Sequence, residues 1–490
     1  MCMTKSNRAL TKALRSLDNF RQDLEELAPE EIDCAELEGQ VQALVREIGR
    51  ACMEEVLAAA DTDAPMIEVG GRKLGNRRIS PGTYATLFGE VVVERSIYSP
   101  GGGGRVAVPL DMRLGMVEGR YTPLLAGLMA KAIAYVPSHE AEDLLNSAGI
   151  GPISRSTLHR VPQAMSARYE ERRDSINDAL REASTIPEGA ATVQVGIDGV
   201  MVPQDGEHSK PRGRKTKSPS PPRHEGKYAS PVAAVPADND GSEGRAWHEA
   251  TVGTVSYWDA DGNRLSTTYV GRMPESGQGT AASELEQELH AALAERPDLD
   301  VNFVSDGDAH QWILLNALAS TVRNGERRVT ASLDFFHAAE YVHEAAAAAA
   351  SSPGEAAVLA AEWKTMLEEY EDGPYRVLRA IRYQRDQQLD PARRDRLDKV
   401  AKYLSKQSKA GRMAYKQLRD MCHPIGSGVV EAAAKTLISV RMKRAGARYS
   451  QHGGQTILTF RAALKSSDDR FPALCAHLHS TYKATFREAA

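Results

Sequence analysis

Three acidic residues stand in sequence contexts typical of metal ligands. Asp198 lies within the apolar run TVQVGIDGVMVP, Asp306 ends the run VNFVSD, and Glu431 lies in IGSGVVEAAAK. Carboxylate oxygens suit hard divalent cations such as Mg²⁺ or Mn²⁺. Two such ions about 4 Å apart activate an attacking oxygen and stabilise the leaving one, so no protein nucleophile is needed. We therefore predict Asp198, Asp306 and Glu431 as the metal ligands and catalytic residues of a two-ion phosphoryl-transfer site.

The elements that carry these acids decide whether the side chains can meet. Asp198 alternates away from the branched apolar residues of its strand, so it shares a face with Gln194 and Gly196. Asp306 ends a different strand, where an α/β sheet presents ligand groups, and Glu431 falls in the first turns of a predicted helix. Because the chain has 66 acidic residues, a single acid is ordinarily a turn or cap residue. The prediction depends on the three contexts together.

The order of apolar runs predicts an α/β unit over residues 191–337. Three strands, of which the last two form a hairpin at Asp261-Gly262, are followed by a helix, a strand, a helix and a strand. Residues 338–422 are helical throughout, which predicts an all-α insertion, and helices resume over 423–490. Proline-rich, basic residues within 205–245 predict a mobile loop between the first two strands.

The first 190 residues divide into three regions. Residues 1–62 have helical periodicity, which predicts a pair of amphipathic helices or, alternatively, a dimerising arm. Residues 63–115 contain short β-rich runs separated by glycine turns, which predicts a small β-module. Residues 116–190 are predicted to be a helical region that binds DNA.

A helix-turn-helix is predicted at 138–168 within that region. Ser138 and Ser154 occupy capping positions, and Gly149 closes the first helix. The pattern turns four residues of the first helix inward, namely Ala141, Leu144, Leu145 and Ala148. It turns four polar residues of the second helix outward, where a recognition helix reaches base edges and phosphates: Arg155, Ser156, His159 and Arg160. The alternative is an ordinary helix pair within a bundle.

Cations follow Glu431 along the same predicted helix and could contact a phosphate backbone. They are Lys435, Arg441, Lys443, Arg444 and Arg448. A solvated helix face is the alternative for this set, and Lys435 could instead pair with Glu431 at i,i+4 spacing. The loop within 205–245 holds a second cluster, for which disorder is favoured over DNA contact: Arg212, Arg214, Lys215, Lys217 and Arg223.

Composition excludes some classes of protein. The chain of 490 residues has length for about three domains. No run approaches the roughly 18–20 apolar residues of a membrane span, and we identify no secretory signal. The five cysteines lie far apart without a CxxC pair, which argues against disulfides and a thiolate zinc site. We therefore expect a cytoplasmic, nucleoid-associated protein, although the net charge of −5 neither supports nor excludes DNA binding.

Several stretches together resemble the bacterial insertion-sequence transposases of the ISKra type, distant relatives of the Mutator-like group. They are GIDGVMVP, WHEATVGTVSYWDADGNRLSTTYVG, VNFVSDGD, LDFFHAAEYV and IGSGVVEAAAKTLISVRMKRAGARYSQHGGQTILTFRAAL. The segment Gly89–Asp111, which ends in PLD, also resembles the N-terminal half of that family. The likeness spans roughly residues 85–465, and its C-terminal block is the most specific part.

The resemblance implies a fold and a set of site residues. It implies a ribonuclease H-like α/β core interrupted by an all-α insertion and preceded by a helical and small-β region with a helix-turn-helix. Asp198, Asp306 and Glu431 would be the first, second and third acids of a DDE motif. Asp334 and His337 match an Asp-x-x-His signature, either as accessory groups near the metal or a flipped DNA end, or as a helix cap and its neighbour. SPGGGG replaces the cysteine-bearing segment of the family, so a zinc ion is doubtful.

The resemblance also implies an activity and partners. Such an enzyme binds double-stranded DNA at the transposon ends, hydrolyses a phosphodiester with two Mg²⁺ or Mn²⁺ ions, and joins the freed 3′-hydroxyl to target DNA. Two ends must be brought together, so a homodimer or higher homo-oligomer is expected. Two alternatives stay open: a non-catalytic DNA-binding protein derived from a transposase, and a ribonuclease H-like nuclease without strand transfer.

Overall fold

The computed structural model describes residues 5–28, 32–100, 104, 106–205, 245–323 and 327–489. The basic cluster predicted between Arg212 and Arg223 therefore lies outside the described residues. The chain forms two compact units. The N-terminal unit comprises Met1–Ala179 with Phe471–Ala490, and the core unit comprises Leu180–Arg470.

The N-terminal unit begins with two helices, continues with four short strands and then becomes helical. Its elements are α1 (Lys5–Glu26), α2 (Cys34–Ala60), β1 (Met66–Val69), β2 (Arg72–Leu74), β3 (Asn76–Thr86), β4 (Gly89–Ser99), α3 (Pro109–Leu114), α4 (Pro123–Tyr135), α5 (Ser138–Ser147), α6 (Arg155–Glu171) and α7 (Arg173–Ala183). The predicted helix pair and β-rich region are thus present. Strands β3 and β4 form an antiparallel hairpin.

A buried polar network supports this hairpin. Tyr84 on β3 is fully buried, and its hydroxyl donates to Asp111 Oδ1 at 2.5 Å. Arg95 on β4 donates to both Asp111 oxygens at 3.1 and 3.2 Å and to the Tyr84 hydroxyl at 2.6 Å. Burial raises the pKa of Asp111, while its bonds to Tyr84 and Arg95 lower it. The aspartate of the PLD motif therefore has a structural role, which is to join α3 to both strands.

Helices α5 and α6 agree with the predicted pair in their positions but not in every detail. Ser154 caps α6 by accepting from Thr157 N, and Gly149 ends the first helix with a φ of 70°. The prediction that Ser138 caps α5 is wrong, because Pro137 occupies the cap position without a side-chain bond. Leu144 and Ala148 were also predicted to face inward, yet both are exposed, Leu144 by 61%.

The core unit is built on a five-stranded mixed sheet. Its elements are β5 (Thr192–Asp205), β6 (Arg245–Trp258), β7 (Arg264–Arg272), α8 (Gly279–Glu295), β8 (Asp300–Ser305), α9 (Ala309–Val322), β9 (Val329–Leu333), α10 (Phe335–Ala349), α11 (Pro353–Glu369), α12 (Gly373–Gln387), α13 (Pro391–Lys409), α14 (Tyr415–Asp420), α15 (Gly428–Ala433), α16 (Val440–Met442) and α17 (Gln451–Lys465). The strand order is β7-β6-β5-β8-β9. Strand β6 is antiparallel to both neighbours, while β5, β8 and β9 are parallel.

The alternation of β5 gives the sheet two different faces. Val193, Val195 and Ile197 are buried in a core that includes residues of α8 and α9. Val200 and Val202 point to the opposite face, where they pack with residues of α15, the following π-helical turn and α17. Asp198 has the parity of this second face. The sheet thus separates a purely structural face from the face that carries the predicted first acid.

Helices α10–α13 enclose a separate apolar cluster, which includes Trp363, Leu367, Ile381 and Leu404. This agrees with the predicted helical segment between the last strand and Glu431. The chain then ends with α18 (Arg470–Tyr482) and β10 (Arg487–Ala489). No helix in the described part of the chain is long and apolar enough to cross a membrane.

The last twenty residues depart from the expected division of the chain. We expected 423–490 to form one C-terminal region, but Phe471–Ala490 belongs to the N-terminal unit. Strand β10 pairs with β1, and Tyr482 donates to Ala164 O at 3.0 Å. The helical pattern of this segment carried no sign of that pairing, because strand partners far apart in sequence leave no local signature.

Candidate active site

Asp198 lies on β5, and Asp306 directly follows β8, the neighbouring parallel strand. Strands β5 and β8 are parallel, with Gly196 opposite Val304. Two residues further along each chain come Asp198 and Asp306, so the register carries both acids to neighbouring positions. Parallel neighbours are about 4.8 Å apart. The predicted convergence of the first two acids follows from this pairing.

Glu431 approaches the same sheet face because β5 has a glycine at the contact. A Cβ at Gly196 would lie 3.2 Å from Val430 Cβ, closer than ordinary packing allows. Val430 is buried, and the next residue, Glu431, is exposed on α15. The missing side chain at Gly196 therefore lets the helix bearing Glu431 lie close to the strand bearing Asp198.

The segment that precedes α15 is hydrogen-bonded to three parallel strands or to the residues that follow them. Gln194 on β5 donates to Gly426 O at 3.4 Å, and Asn302 on β8 donates to Pro424 O at 2.8 Å. Phe335 N, which follows β9, donates to Ile425 O at 3.1 Å. We call residues 424–427 the anchor segment. Its bonds fix the start of the helix that carries Glu431.

Asp334 makes the most buried of these connections. It is 3% exposed, and its Oδ1 accepts from His337 N at 2.9 Å as the N-cap of α10. Its Oδ2 accepts from Ser427 N at 2.7 Å and also from the Ser427 hydroxyl. The sequence allowed Asp334 to be either an accessory group or a helix cap, and in this structure it is a helix cap. Asp334 additionally holds the N-cap residue of α15.

Gln311 joins the two acid-bearing strands and was not identified from sequence. It is 3% exposed on the first turn of α9. With its amide nitrogen directed at the acceptors, Gln311 donates to Ser305 Oγ at 2.5 Å, to Asp306 Oδ1 at 3.2 Å and to Ile197 O at 3.2 Å. Its amide oxygen accepts from Gly199 N at 3.3 Å. Gln311 thus orients Asp306 and binds the backbone on both sides of Asp198.

Asp198 sits in an environment that opposes its ionisation. Burial raises the pKa of Asp198 to about 6; the hydrogen bond from Gly199 N lowers it, and the charges of Asp306, Glu249 and Glu431 raise it. Asp198 therefore interacts electrostatically with both of the other predicted acids. Glu249 on β6 is an additional acid that sequence reasoning missed, since its paired position with Met201 could not be inferred without the strand register.

The donor chemistry of this cluster suits hard divalent cations. Carboxylates whose charges repel one another gain from a cation that neutralises them, and oxygen is the donor that Mg²⁺ and Mn²⁺ prefer. Within the described residues, no group of three or more His, Cys, Asp or Glu side chains is already close enough to hold an ion. The acids therefore share a region of the sheet edge but would have to draw closer around bound ions.

A cluster of three aromatic rings contacts Asp306 through Tyr403. Tyr403 on α13 donates its hydroxyl to Asp306 O at 3.2 Å and stacks on Tyr341, with 4.1 Å between ring centroids. The His337 ring contacts Tyr341 edge-to-face at 5.2 Å. Gly307 has a φ of 102°, and a Cβ there would meet the Tyr403 hydroxyl. His337 is therefore near the second acid through two tyrosines rather than directly.

The cations predicted after Glu431 divide into two groups. Four are exposed, namely Lys435, Lys443, Arg444 and Arg448. Arg441 does not fit the prediction of an exposed phosphate contact, because it is 5% exposed and donates to the Tyr449 hydroxyl at 2.9 Å. The helix also ends at Met442, so three of the exposed cations follow it rather than lie along it.

The polar residues predicted on the second helix of the α5–α6 pair are all exposed, as expected: Arg155, Ser156, His159 and Arg160. Leu158 and Val161 are fully buried on its other side. The two arginines already have acidic partners, since Arg155 pairs with Glu142 at 2.9 Å and Arg160 pairs with Glu118. A ligand would have to compete with these exposed pairs, which are individually weak.

Comparisons with known proteins add no assignment to this geometry, since no protein-family model matches the chain and no curated protein is significantly similar to it.

Changing Asp334 tests whether the anchor segment depends on its carboxylate. Asp334→Asn leaves one carbonyl oxygen where there were two, so its amide nitrogen must face the N–H of either Ser427 or His337. We therefore expect a loss of about 2–3 kcal/mol in the free energy of unfolding. Ser427→Ala removes only the hydroxyl bond and should cost about 1 kcal/mol. Urea unfolding of the two variants measures both values. Equal losses, or none for Asp334→Asn, would contradict this role.

The pKa of Asp198 predicts a pH-dependent gain in stability for Asp198→Asn without divalent ions. Since folding raises this pKa to about 6, the contribution of Asp198 to stability is present below its unfolded pKa and is lost as pH rises through 6. The asparagine avoids that loss, so its advantage in unfolding free energy should grow by roughly 1–2 kcal/mol from pH 5 to pH 7.5.

One further variant completes that test. Glu431→Gln removes one neighbouring charge but keeps the buried carboxylate, so its advantage at pH 7.5 should be smaller than that of Asp198→Asn. An advantage that is the same at pH 5 and pH 7.5 would show that the Asp198 carboxyl does not titrate in this range.

Proposed function

We propose that the chain is a DDE transposase that cleaves and joins DNA at a pair of divalent ions. The observation that carries the proposal is the placement of Asp198 on β5 and of Asp306 directly after the parallel neighbour β8, with Glu431 on a helix packed against β5. Each acid comes from a separate element, and the charges of the other two raise the pKa of Asp198. Such a set of carboxylates, without a neighbouring nucleophile, suits metal-assisted phosphoryl transfer.

The strand order supports a ribonuclease H-like core for this unit. Numbered along the chain from β5, the sheet order β7-β6-β5-β8-β9 reads 3-2-1-4-5, and only the second strand runs antiparallel to the others. A helix follows the third strand and another follows the fourth. This is the arrangement implied by the resemblance to ISKra-type transposases. Helices α10–α14 would then be the insertion between the second and third acids.

The residues of the chain have distinct parts in the proposed reaction. Asp198, Asp306 and Glu431 bind the ions as carboxylates. Gln311 holds Asp306 and the backbone around Asp198, and Asp334 fixes the start of the helix that carries Glu431. When bound, Mg²⁺ or Mn²⁺ supplies Lewis-acid stabilisation of the attacking and leaving oxygens. The exposed cations Lys435, Lys443, Arg444 and Arg448 bind the phosphates of the DNA near the cleaved bond.

Recognition of the transposon ends is assigned to α5 and α6 acting as a helix-turn-helix. Two features support this assignment: the two helices are joined by residues 148–154, and the second helix has an exposed polar face. In such motifs the second helix reads base edges in the major groove. Two ends must be held together for joining, so the active form is a homodimer or larger, acting on DNA in the bacterial nucleoid.

A cleavage and joining assay tests this function. Wild-type protein is incubated with Mg²⁺ and duplex DNA that carries the repeats flanking the gene, and products are resolved on sequencing gels. We expect cleavage that leaves a 3′-hydroxyl and joining of that end to target DNA. Asp306→Asn should lower both rates by roughly a thousandfold, as expected when a group that stabilises transition-state charge is lost. Asp261→Asn, in the hairpin turn, is the matched control and should keep wild-type rates.

The alternatives give different results in the same assay. Cleavage without joining would favour a nuclease. Binding of end DNA without metal-dependent cleavage would favour a non-catalytic DNA-binding protein, and would contradict the proposal.

A further inference from the structure

Helices α12 and α13 carry much more positive charge than the rest of the chain. Between Gly373 and Lys409 there are eleven arginines and lysines against four aspartates, a net charge of +7, whereas the whole chain has −5. The neighbouring helix α11 has the opposite balance, with four glutamates and one lysine. The positive charge of the helical bundle is therefore concentrated on two of its helices.

The two helices line an open groove on which several of these cations lie. Its walls include Arg382 and Arg385 from α12 and Lys402, Lys406 and Lys409 from α13. The apolar residues of the same helices, such as Ile381 and Leu404, are buried in the bundle core. Packing therefore fixes which sides of both helices face the groove, and the cations fall on those sides.

Only some of these cations form ion pairs with neighbouring acids. Lys402 pairs with Asp398 at 2.6 Å, and Arg385 pairs with Asp386 and Asp398. Lys406 and Lys409 are exposed and form no ion pair with any residue that the structure describes. A solvated helix surface is usually stabilised by alternating charges at i,i+4 spacing. At one end of the groove, Lys406 and Lys409 instead form a run of positive charge, which favours an anionic ligand.

The spacing of the lysines suits a nucleic-acid backbone. Lys402, Lys406 and Lys409 recur at i, i+4 and i+7, so they share one face of α13 and span about 10 Å along its axis at 1.5 Å per residue. Phosphates of one DNA strand recur every 3.4 Å along the duplex axis. Ammonium groups bind phosphates as point charges without strict geometry. The row of lysines can therefore face about three successive phosphates.

The same helix touches the second acid of the candidate active site. Tyr403, next to Lys402 in sequence, donates its hydroxyl to Asp306 O at 3.2 Å. DNA held at Asp306 would therefore pass close to α13. Both features belong to the core unit, so their proximity does not depend on the N-terminal unit.

We propose that the groove between α12 and α13 is a second DNA-binding surface, which holds the phosphate backbone of duplex DNA independently of its sequence. The assignment of DNA rather than another polyanion rests on the proposed function, because it uses the contact with Asp306. Lys406 and Lys409 supply the unpaired charge, and Arg382 lines the opposite wall. The groove extends the DNA contact surface beyond the residues around the carboxylates.

Binding of the full chain to a duplex of about 30 base pairs without transposon sequence tests this surface. Fluorescence anisotropy is measured over a series of salt concentrations without divalent ions. Lys406→Gln with Lys409→Gln should reduce the slope of log affinity against log salt by about 1–2, since each phosphate contact contributes roughly 0.9. The corresponding loss of affinity near 0.1 M salt is roughly ten- to sixtyfold.

The matched control is Arg264→Gln with Arg323→Gln, which makes the same change in net charge at exposed positions of the core unit outside α12, α13 and the groove. Its salt slope should equal that of wild type, and thermal unfolding should show that both double variants are folded. Equal effects of the two double variants, or a wild-type slope for the lysine variant, would overturn the proposal. So would a loss of affinity seen with an RNA hairpin but not with duplex DNA.

This outcome is separable from the proposed catalysis. The binding assay contains no divalent ions, so it reports on the groove without the metal-dependent reaction. If the cleavage assay fails while the lysine variant still loses its salt-dependent binding, the groove assignment stands and the transposase assignment does not.

Discussion

The anchor segment, residues 424–427, is the constraint on which the candidate site depends. It returns to the sheet after the long helical bundle and is bonded to Gln194, Asn302 and Asp334, which lie on or directly after three parallel strands. The carboxylate of Asp334 is buried and accepts hydrogen bonds from the N–H and the hydroxyl of Ser427. Without these bonds, buried polar groups would have no hydrogen-bond partner. Because Glu431 follows four residues later, these bonds set the start of its helix relative to the strands that carry Asp198 and Asp306.

The carboxylates also oppose the fold that brings them together. Burial raises the pKa of Asp198 most, and the charges of Asp306, Glu249 and Glu431 raise it further. Gln311 offsets part of this cost by donating to Asp306 and binding the backbone beside Asp198. A site of this kind is held by surrounding hydrogen bonds rather than by attraction among its own groups, and a cation removes the repulsion. Stability and metal affinity are therefore linked through the same three side chains.

Much of the core could be predicted from sequence because its patterns are local. The alternation in β5 identified the face of Asp198, and the Asp261-Gly262 turn identified the β6–β7 hairpin. Features that depend on distant residues could not be predicted. Arg441 is buried beside the Tyr449 hydroxyl, the pairing of β10 with β1 joins distant parts of the chain, and Glu249 reaches the site only through the β5–β6 register. The sequence allowed Asp334 to cap α10, but its second bond, to Ser427, joins residues far apart in the chain and could not be predicted.

The stoichiometry of metal binding tests the central claim most directly. Titration of the metal-free protein with Mn²⁺, followed by calorimetry and by the loss of the free-ion signal in electron paramagnetic resonance, counts the ions bound at neutral pH. The account predicts two ions per chain for wild type and the loss of at least one for Glu431→Gln. Wild-type protein that binds no Mn²⁺, or a Glu431→Gln variant that binds it with unchanged stoichiometry and affinity, would contradict the assignment of these three acids to one site.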